Sequence, residues 1–228
     1  MISIIIPILN EAETIGKLLE HLRDNSSHEN ISDLIVVDGG STDSSKTIIE
    51  RFERITYLSS EKGRAKQMNA GAKVAKGAIL YFLHADSFPP KDFDQYIIKE
   101  VENGNNAGCF RMQFDNNHWW LRSASWFTRF NWRACRGGDQ SQFITKDLFE
   151  SIGGYDESFV IYEDNILIDE LYKRNQFVVI PKTLKTSARR YKKHGVWKLQ
   201  YHFAIIYWKR WNGAKSDELF QYYKKNIC

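Results

Sequence analysis

An apolar run passes directly into a polar loop with two glycines in the stretch Ile35-Val36-Val37-Asp38-Gly39-Gly40-Ser41-Thr42-Asp43. Three consecutive β-branched residues are typical of a buried strand, and the residues that follow are typical of a loop. In an open parallel sheet, ligands bind beyond the carboxyl ends of the strands, where Asp38 would face the crevice. Asp38 could therefore accept hydrogen bonds from a base or ribose, or it could simply end a strand before a capped helix.

The same alternation of apolar strands and amphipathic helices continues on both sides of this stretch. Strand patterns occur at residues 2–6, 34–37, 55–58 and 79–83, and apolar residues at helical spacing occur at 13–24, 48–52, 64–76 and 93–101. Strands that alternate with helices imply right-handed crossovers and a largely parallel sheet. The predicted fold class is α/β, with a Rossmann-like, mostly parallel central sheet and helices on both faces.

The pattern changes after residue 104 to mixed strands and loops, with strands predicted at 109–114 and 142–145 and a helix at 163–174. No repeat or low-complexity linker marks a boundary. A length of 228 residues suits one compact α/β domain. We expect a single domain over 1–228, with a nucleotide-sugar-binding half at 1–104 and an acceptor-side half at 105–228 that ends in an amphipathic segment.

Composition excludes a disordered chain and indicates an anionic partner. Hydrophobic residues make up 43% and aromatic residues 14%, and the net charge of +4 comes from basic residues concentrated in the last third. Such a cluster attracts a diphosphate, a membrane surface or nucleic acid. Nucleic acid is the least favoured of the three, because the basic residues form no long stripe and no recognised module is present.

The cysteines and the N-terminal residues help to predict where in the cell the protein is located. Cys109, Cys135 and Cys228 are widely spaced, which argues against a zinc cluster and a disulfide framework and suits a reducing compartment. The first residues lack a charged leader, and no apolar run approaches the ~20 residues that span a bilayer. We expect a cytoplasmic protein with possible peripheral contact at the inner face of the membrane.

A second candidate site is Leu83-His84-Ala85-Asp86, which follows an apolar run. If side chains alternate in direction, His84 and Asp86 share one side and could converge on Mn²⁺ or Mg²⁺ and its bound phosphates. The alternative is that both side chains make only local hydrogen bonds.

A third candidate is Tyr162-Glu163-Asp164, at the start of a predicted helix. A carboxylate at a helix N-terminus is stabilised as an anion and is a suitable general base if it faces a hydroxyl group. The alternative is an acidic residue that only caps the helix.

Taken together and in this order, these segments resemble the family 2 glycosyltransferases of the GT-A fold. The resemblance covers nearly the whole chain, beginning with Ile4-Ile5-Ile6-Pro7-Ile8-Leu9-Asn10-Glu11 and the Asp38 loop. Further matches are Gly63-Arg64-Ala65, Asn69-Ala70-Gly71-Ala72, His84-Ala85-Asp86, Gly137-Gly138-Asp139-Gln140, Gly153-Gly154-Tyr155, Glu163-Asp164 and Ser187-Ala188-Arg189-Arg190. The His-Ala-Asp motif and the last features also resemble a compact bacterial subfamily described as arsenosugar-biosynthesis glycosyltransferases.

The resemblance implies an inverting, metal-assisted single displacement with Asp164 as the catalytic base. It implies a nucleotide-sugar site formed by Pro7, Asn10, Glu11, Asp38, Gly40, Arg64, Asn69, His84, Ala85 and Asp86. It implies a metal held by Asp86 and His84, and an acceptor pocket formed by Gly138, Asp139, Gln140 and Glu163. Gly39 stands where many relatives have a second Asp. His84 replaces the first carboxylate of the usual Asp-x-Asp, so His84 is either a metal ligand or a ribose contact.

The C-terminal third offers less specific signals. Arg189, Arg190 and His194 could close over the diphosphate, or they could form a solvated basic face. The segment 197–211 is amphipathic and aromatic, and we expect it to pack in the core rather than on a membrane or partner subunit. The same expectation applies to Trp119, Trp120, Trp126, Phe127 and Trp132, with a sugar-stacking platform as the alternative.

Two other functions are weighed against the transferase. A sugar-1-phosphate nucleotidyltransferase would have a glycine-rich loop with a basic residue directly after the first strand, and residues 7–11 do not provide one. A non-catalytic nucleotide-sugar or membrane-surface binding module would not need both Asp86 and Asp164.

Overall fold

The computed structural model describes residues 1–227, so Cys228 lies outside the described residues. Within residues 1–227, eight strands form one sheet. All six strands expected from the sequence are present with small changes at their ends, and β5 and β8 were not expected. The strands are β1 Ile2–Ile8, β2 Ile31–Asp38, β3 Ile55–Ser59, β4 Ile79–Phe82, β5 Ser87–Phe88, β6 Ala107–Phe114, β7 Gln142–Thr145 and β8 Val178–Thr186.

In the described part of the chain, ten α-helices connect and cover these strands, and two short 3₁₀ turns lie at Arg133–Cys135 and Gly138–Gln140. The helices are α1 Ile15–Asn25, α2 Ser45–Ile49, α3 Arg64–Val74, α4 Phe93–Glu102, α5 Trp119–Phe127, α6 Lys146–Ile152, α7 Glu163–Lys173, α8 Arg189–His194, α9 Val196–Trp211 and α10 Ser216–Asn226. None of these helices is both long enough and apolar enough to cross a bilayer.

The strand order is β3-β2-β1-β4-β7-β6-β8-β5. The first four strands in this order pair in parallel, whereas β7 pairs antiparallel with both β4 and β6, and β8 pairs parallel with β6. Because β2 and β4 flank β1 on opposite sides, the chain changes direction across the sheet at β1. Such a switch point opens a crevice at the carboxyl ends of the strands. The predicted α/β class and mostly parallel sheet are confirmed.

The core lies on both faces of the sheet, as expected for parallel strands. All seven residues of β1 are buried, because its side chains meet helices above and below. One apolar cluster contains Ile15 and Leu18 of α1, and the other contains Met68 of α3 and Leu167 of α7. These two layers fix the helices whose first residues border the crevice.

Gly71 allows α3 to pack closely on β1. A Cβ atom at Gly71 would lie 2.5 Å from Ile5 Cγ2, which is closer than van der Waals contact. A larger residue would therefore push α3 outwards, together with Arg64 at its N-terminus.

The expectation that the aromatic segments pack in the core is wrong for most of their residues. Exposed fractions are 61% for Trp119, 47% for Trp126, 48% for Phe127 and 59% for Trp132. The reason is that α5 packs on the sheet through Leu121, and α9 packs through Leu199 and Ile206, which leaves the other sides of both helices uncovered.

Candidate functional site

Three loops and two helix starts meet at the carboxyl edge of the sheet. The loops follow β1, β2 and β4, and the helices are α3 and α7. Residues 38, 64, 86 and 164, far apart in the sequence, are thereby brought to one edge of the fold.

The loops after β1 and β2 form one hydrogen-bonded unit. The Asn10 N–H donates to Ser41 Oγ at 2.9 Å, and Asn10 Oδ1 accepts from the Thr42 N–H at 2.8 Å. The Glu11 N–H donates to Ser45 Oγ at 3.0 Å. Asn10 has a φ of 56°, a left-handed conformation that Asn tolerates better than most residues. The two loops predicted to hold the nucleotide are therefore fixed relative to each other before any ligand binds.

Asp38 is held as an anion at the end of β2. Its Oδ1 accepts from the Gly40 N–H at 3.0 Å and the Ser41 N–H at 2.8 Å, and its Oδ2 accepts from the Tyr57 hydroxyl at 2.7 Å. Burial alone would raise the pKa of Asp38, but these hydrogen bonds outweigh it and lower the pKa below its ordinary value. Gly40 has a φ of +95°, which a residue with a side chain would adopt only with strain.

Gln67 supports these loops from below and was not singled out from the sequence. Its Nε2 donates at 2.7 Å to both the Ile8 and the Val37 carbonyl oxygens, at the ends of β1 and β2. A Cβ atom at Gly39 would lie 3.0 Å from the Gln67 side chain. The sequence carried one signal: Gln67 is a polar residue on the otherwise apolar face of α3.

Arg189 reaches into the crevice from the start of α8. Its Nη2 lies 2.9 Å from Glu11 Oε1 and 3.7 Å from Asp86 Oδ2. Burial raises the pKa of Asp86 above its ordinary value, although the neighbouring Arg189 opposes this. A positive charge is thus held between the two carboxylates that were predicted to bind the donor and the metal.

His84 is neutral, and its tautomer follows from its hydrogen bond. Its Nε2 lies 2.8 Å from the Gly138 carbonyl oxygen, which can only accept, so Nε2 carries the hydrogen. Burial and the nearby Arg64 lower the pKa of His84. The lone pair therefore lies on Nδ1, which is the form of histidine that binds metals.

Arg64 contacts both acidic residues at the start of α7. Its Nε lies 3.3 Å from Glu163 Oε1, and its Nη1 lies 3.4 Å from Asp164 Oδ2. Only 2% of the Glu163 side chain and 11% of the Asp164 side chain are exposed. Burial raises the pKa of Glu163 to about 7 and also raises the pKa of Asp164, so Arg64 offsets the cost of burying two acids only in part.

Gly138 lies against Asp164. A Cβ atom at Gly138 would be 2.1 Å from Asp164 Oδ2, so this position excludes any other residue while Asp164 keeps its place. His84, Gly138, Tyr155 and Asp164 line one small cavity beneath the crevice. The second and third candidates from the sequence therefore share a site.

Asp139 and Gln140, both predicted to form the acceptor pocket, differ from each other in burial and in contacts. Asp139 is exposed, and its negative charge acts to raise the pKa values of His84, Asp86 and Asp164. Gln140 does not face the crevice: it is buried, its Nε2 donates to the Cys135 carbonyl oxygen at 2.9 Å, and its Oε1 accepts from Arg136 Nη1 at 3.0 Å.

Other predicted donor residues have structural positions. Asn69 joins α3 to the 153–157 turn, because its Nδ2 donates to the Tyr155 carbonyl oxygen at 2.9 Å and its Oδ1 accepts from the Tyr155 N–H at 3.0 Å. Pro7 and Ala85 are buried, in β1 and in the turn after β4. These three residues shape the site rather than offering free polar groups to a ligand.

Among the described residues, Arg190 and His194 do not share the ion pairs that Arg189 forms with Glu11 and Asp86. Arg190 follows Arg189 in α8, so it points about 100° further round the helix axis. Arg190 is exposed, and neither Arg190 nor His194 forms an ion pair within residues 1–227. Their contact with a diphosphate stays a prediction.

A mostly parallel sheet with its switch point at β1, and an acidic crevice at its carboxyl edge, define a GT-A-type fold of the glycosyltransferases. The family model described as "Glycosyl transferase family 2" matches residues 3–169. The chain belongs to glycosyl transferase family 2. The narrower resemblance to arsenosugar-biosynthesis enzymes is not tested by these matches and stays a prediction.

Two bacterial relatives align over much of the chain. The undecaprenyl-phosphate 4-deoxy-4-formamido-L-arabinose transferase of Proteus mirabilis is 26% identical over 197 residues, which are 83% of this chain and 57% of that protein. The succinoglycan biosynthesis protein ExoA of Rhizobium meliloti is 27% identical over 186 residues, 71% of this chain and 54% of that protein. The chain therefore spans a little over half the length of these relatives.

Solved structures of S. aureus TarS share the fold. The TarS 1–349 complex with UDP has a TM-score of 0.70 and 20% sequence identity, and it covers 82% of this chain and 60% of that chain. The complex with UDP-GlcNAc has a TM-score of 0.68 at the same identity. At this identity the likeness establishes the fold.

Proposed function

We propose that this protein is an inverting glycosyltransferase that moves a sugar from a nucleoside-diphosphate sugar to a hydroxyl acceptor with the assistance of a metal. The observation that carries the proposal is the position of Asp164, buried beside Arg64 and Gly138 at the same sheet edge as Asp38 and Asp86. The structural neighbours that hold UDP and UDP-GlcNAc support a nucleotide-sugar donor.

In this proposal the donor lies over the loops after β1 and β2. Asp38 is held ionised at the end of β2, and in this proposal its carboxylate accepts a further hydrogen bond from a base or ribose. Arg189 has a 46% exposed side chain beside Glu11 and Asp86, and in this proposal it contacts the diphosphate when that group arrives. A cation at this position stabilises the charge that develops on the leaving group.

His84 and Asp86 fit a divalent metal in part. His84 Nδ1 and the Asp86 carboxylate are suitable ligands for Mn²⁺ or Mg²⁺, and these metals complete their shells with phosphate oxygens and water. No cluster of three or more candidate metal ligands occurs within residues 1–227, so the metal would be held jointly by the protein and the diphosphate. When bound, the metal would withdraw electron density from the leaving diphosphate.

Asp164 is the general base in this proposal. The acceptor hydroxyl gives its proton to an Asp164 carboxylate oxygen while its oxygen forms a bond to the sugar C1, and the bond from C1 to the diphosphate breaks on the opposite face. A single displacement of this kind inverts the anomeric centre. The raised pKa of Asp164 brings the group closer to neutral pH, where a general base is most effective.

A phosphate acceptor is the second candidate. One relative is named a transferase for undecaprenyl phosphate, and another, from Rhizobium johnstonii, is named dodecaprenyl-phosphate galacturonate synthase. A phosphate oxygen is already ionised near pH 7 and needs no general base. The buried, charge-paired Asp164 favours the hydroxyl acceptor.

The proposed location is the cytoplasm, with peripheral contact at the inner face of the membrane. Cys109 and Cys135 are free thiols, which suits a reducing compartment.

The donor and metal sites can be tested by thermal-shift measurements with nucleoside diphosphates and their sugars, with and without Mn²⁺. A ligand that binds the native state raises the melting temperature. We expect one nucleoside diphosphate to raise it more in Mn²⁺ than without metal, and the Asp86→Asn variant to lose this difference. The exposed Asp24→Asn variant is the control. Equal shifts in melting temperature with and without metal in the wild type would remove the metal from the proposal. In a separate assay of donor hydrolysis, the absence of turnover with every donor would favour a non-catalytic binding module.

A further inference from the structure

The outer side of α9 carries a continuous stripe of exposed aromatic side chains. The exposed fractions are 55%, 64%, 61% and 85% for Trp197, Tyr201, Trp208 and Trp211. Spacings of four, seven and three residues place them on one side of the helix, opposite the side that packs on the protein. The helix has 16 residues, so the stripe is about 24 Å long at 1.5 Å per residue.

The stripe continues onto α5. The Trp119 ring lies 5.7 Å from the Trp197 ring, and Trp119 is itself 61% exposed. Trp126, two helical turns further along α5, is 47% exposed. We call the six residues Trp119, Trp126, Trp197, Tyr201, Trp208 and Trp211 the aromatic face. Contiguous exposed aromatic side chains of this extent mark an interaction surface.

The charge around the aromatic face is mostly positive, with Glu218 of α10 as an acidic residue that lines one surface depression together with Trp208. The chain carries no acidic residue from Ser187 to Ser216, and none from Asn116 to Trp132. Lys198 and Arg122 flank the exposed rings and form no ion pair within residues 1–227. The partner that this surface fits is therefore anionic as well as able to accept apolar rings.

We infer that the aromatic face docks on an anionic lipid bilayer surface, with α9 lying in the plane of the interface. Trp and Tyr rings settle at the level of the lipid headgroups, where one part of the ring is apolar and the other is hydrated. Flanking Lys and Arg side chains reach the anionic headgroups while their alkyl chains stay in the apolar layer. An in-plane helix with aromatic residues on one side and basic residues beside them is the usual form of such an anchor.

A second copy of the chain fits this surface less well. A two-fold dimer brings the same patch together from both subunits. It would bring the mostly basic surroundings of both aromatic faces together, with Glu218 beside Trp208 as an acidic residue in each copy. A lipid surface supplies the missing negative charge.

This inference goes beyond the proposed transfer reaction and does not depend on it. The aromatic face lies on helices outside the crevice, and lipid binding needs neither donor nor acceptor. If the protein did not bind vesicles, the proposed donor site would still stand. If no donor were found, the result of the vesicle experiment would still stand.

The test is co-sedimentation of the full chain with vesicles of neutral phosphatidylcholine, and of phosphatidylcholine with about one third phosphatidylglycerol. We expect binding to the anionic vesicles, weaker binding in high salt, and little binding to the neutral ones. The double variant Trp208→Ser, Trp211→Ser should bind about tenfold more weakly. Val74→Ser, which truncates an exposed apolar side chain on α3, should bind like the wild type.

A charge variant gives a second, independent readout. Lys198→Glu should weaken binding to anionic vesicles, whereas Lys62→Glu, an exposed lysine elsewhere, should weaken it less. Circular dichroism and thermal melting without ligand confirm that each variant is folded. Equal binding of wild type and the double tryptophan variant would overturn the inference. The inference would also be overturned if the wild type did not bind vesicles. It would be overturned as well if the wild type formed a dimer and the double tryptophan variant were a monomer.

Discussion

The crevice and the aromatic face are both unfavourable for stability, but in opposite ways. The crevice buries charge: Glu163 and Asp164 are nearly inaccessible and share one cation, Arg64. The aromatic face exposes apolar rings, including Trp211 at 85% exposure. Buried acids depend on a charged neighbour in the folded chain, whereas the exposed rings keep much of their surface in water in the folded state as well.

This difference separates two kinds of functional surface. Substitutions in the crevice should change folding stability as well as activity, because each charged group there depends on another. Substitutions on the aromatic face should change association and leave folding almost unaffected. The predictions below measure how sharp that division is.

The largest stability effect is expected for Arg64→Met. Removing the cation leaves Glu163 and Asp164 buried without a partner, and we expect the free energy of unfolding at pH 8 to fall by about 2–4 kcal/mol. Arg64 is 32% exposed, which keeps the loss below that of a fully buried cation. Urea denaturation measures it. Arg64→Lys, which keeps the charge but cannot contact both acids as a fork, should lose less, and equal stability of Arg64→Met and wild type would contradict the account.

The next effect is a pH dependence. A Glu163 pKa raised from 4.5 to about 7 means that the folded state keeps a proton which the unfolded state has lost. The contribution of Glu163 to the free energy of unfolding therefore falls as the pH rises from about 4.5 to 7 and then levels off, by about 3 kcal/mol at most.

Glu163→Gln should remove that contribution. In urea denaturation across this pH range, the free energy of unfolding of the wild type should fall relative to that of Glu163→Gln as the pH rises from about 4.5 to 7. The exposed Glu13→Gln variant should keep the wild-type slope. Parallel curves for wild type and Glu163→Gln would show that Glu163 has no raised pKa.

A smaller effect is expected for Tyr57→Phe. The variant removes the hydroxyl that donates to Asp38 Oδ2 at 2.7 Å, so we expect a loss of about 1 kcal/mol in the free energy of unfolding. The pKa of Asp38 should rise toward its ordinary value, which NMR titration of the carboxyl carbon can follow. An unchanged Asp38 pKa would mean that the backbone donors alone hold the carboxylate.

The smallest effect is expected for Trp211→Ser. This side chain is 85% exposed, and we expect a change within about 0.5 kcal/mol in the free energy of unfolding. A loss above 2 kcal/mol, measured by the same denaturation method, would place Trp211 in the folding core and remove the contrast between the two regions.

The parallel half of the fold could be predicted because its signals are local. The apolar runs of β1 and β2 have one explanation, a strand buried on both faces, and the polar residues after them lie at the edge where ligands bind. The convergence of His84 with Asp164 needed the resemblance to a family, because no spacing in the sequence reports a contact between α7 and the loop after β4.

The C-terminal half could not be predicted to the same degree. β8 contains Pro181 and several polar residues, so it has no strand pattern, and its pairing with β6 shifts register between Phe110 and Arg111. Aromatic residues at helical spacing give the same pattern on a core helix and on an exposed one. Whether Trp208 is covered depends on which elements fold over it, and that is a property of the tertiary structure.

The central claim is that Asp164 takes the proton of the acceptor hydroxyl. The direct measurement is to compare donor affinity by calorimetry with the rate of sugar transfer for wild type, Asp164→Asn and the exposed control Asp147→Asn. We predict that Asp164→Asn binds the donor within about twofold of the wild type and transfers about 10²–10⁴ times more slowly. A transfer rate close to that of the wild type in Asp164→Asn, with the protein folded, would contradict the account.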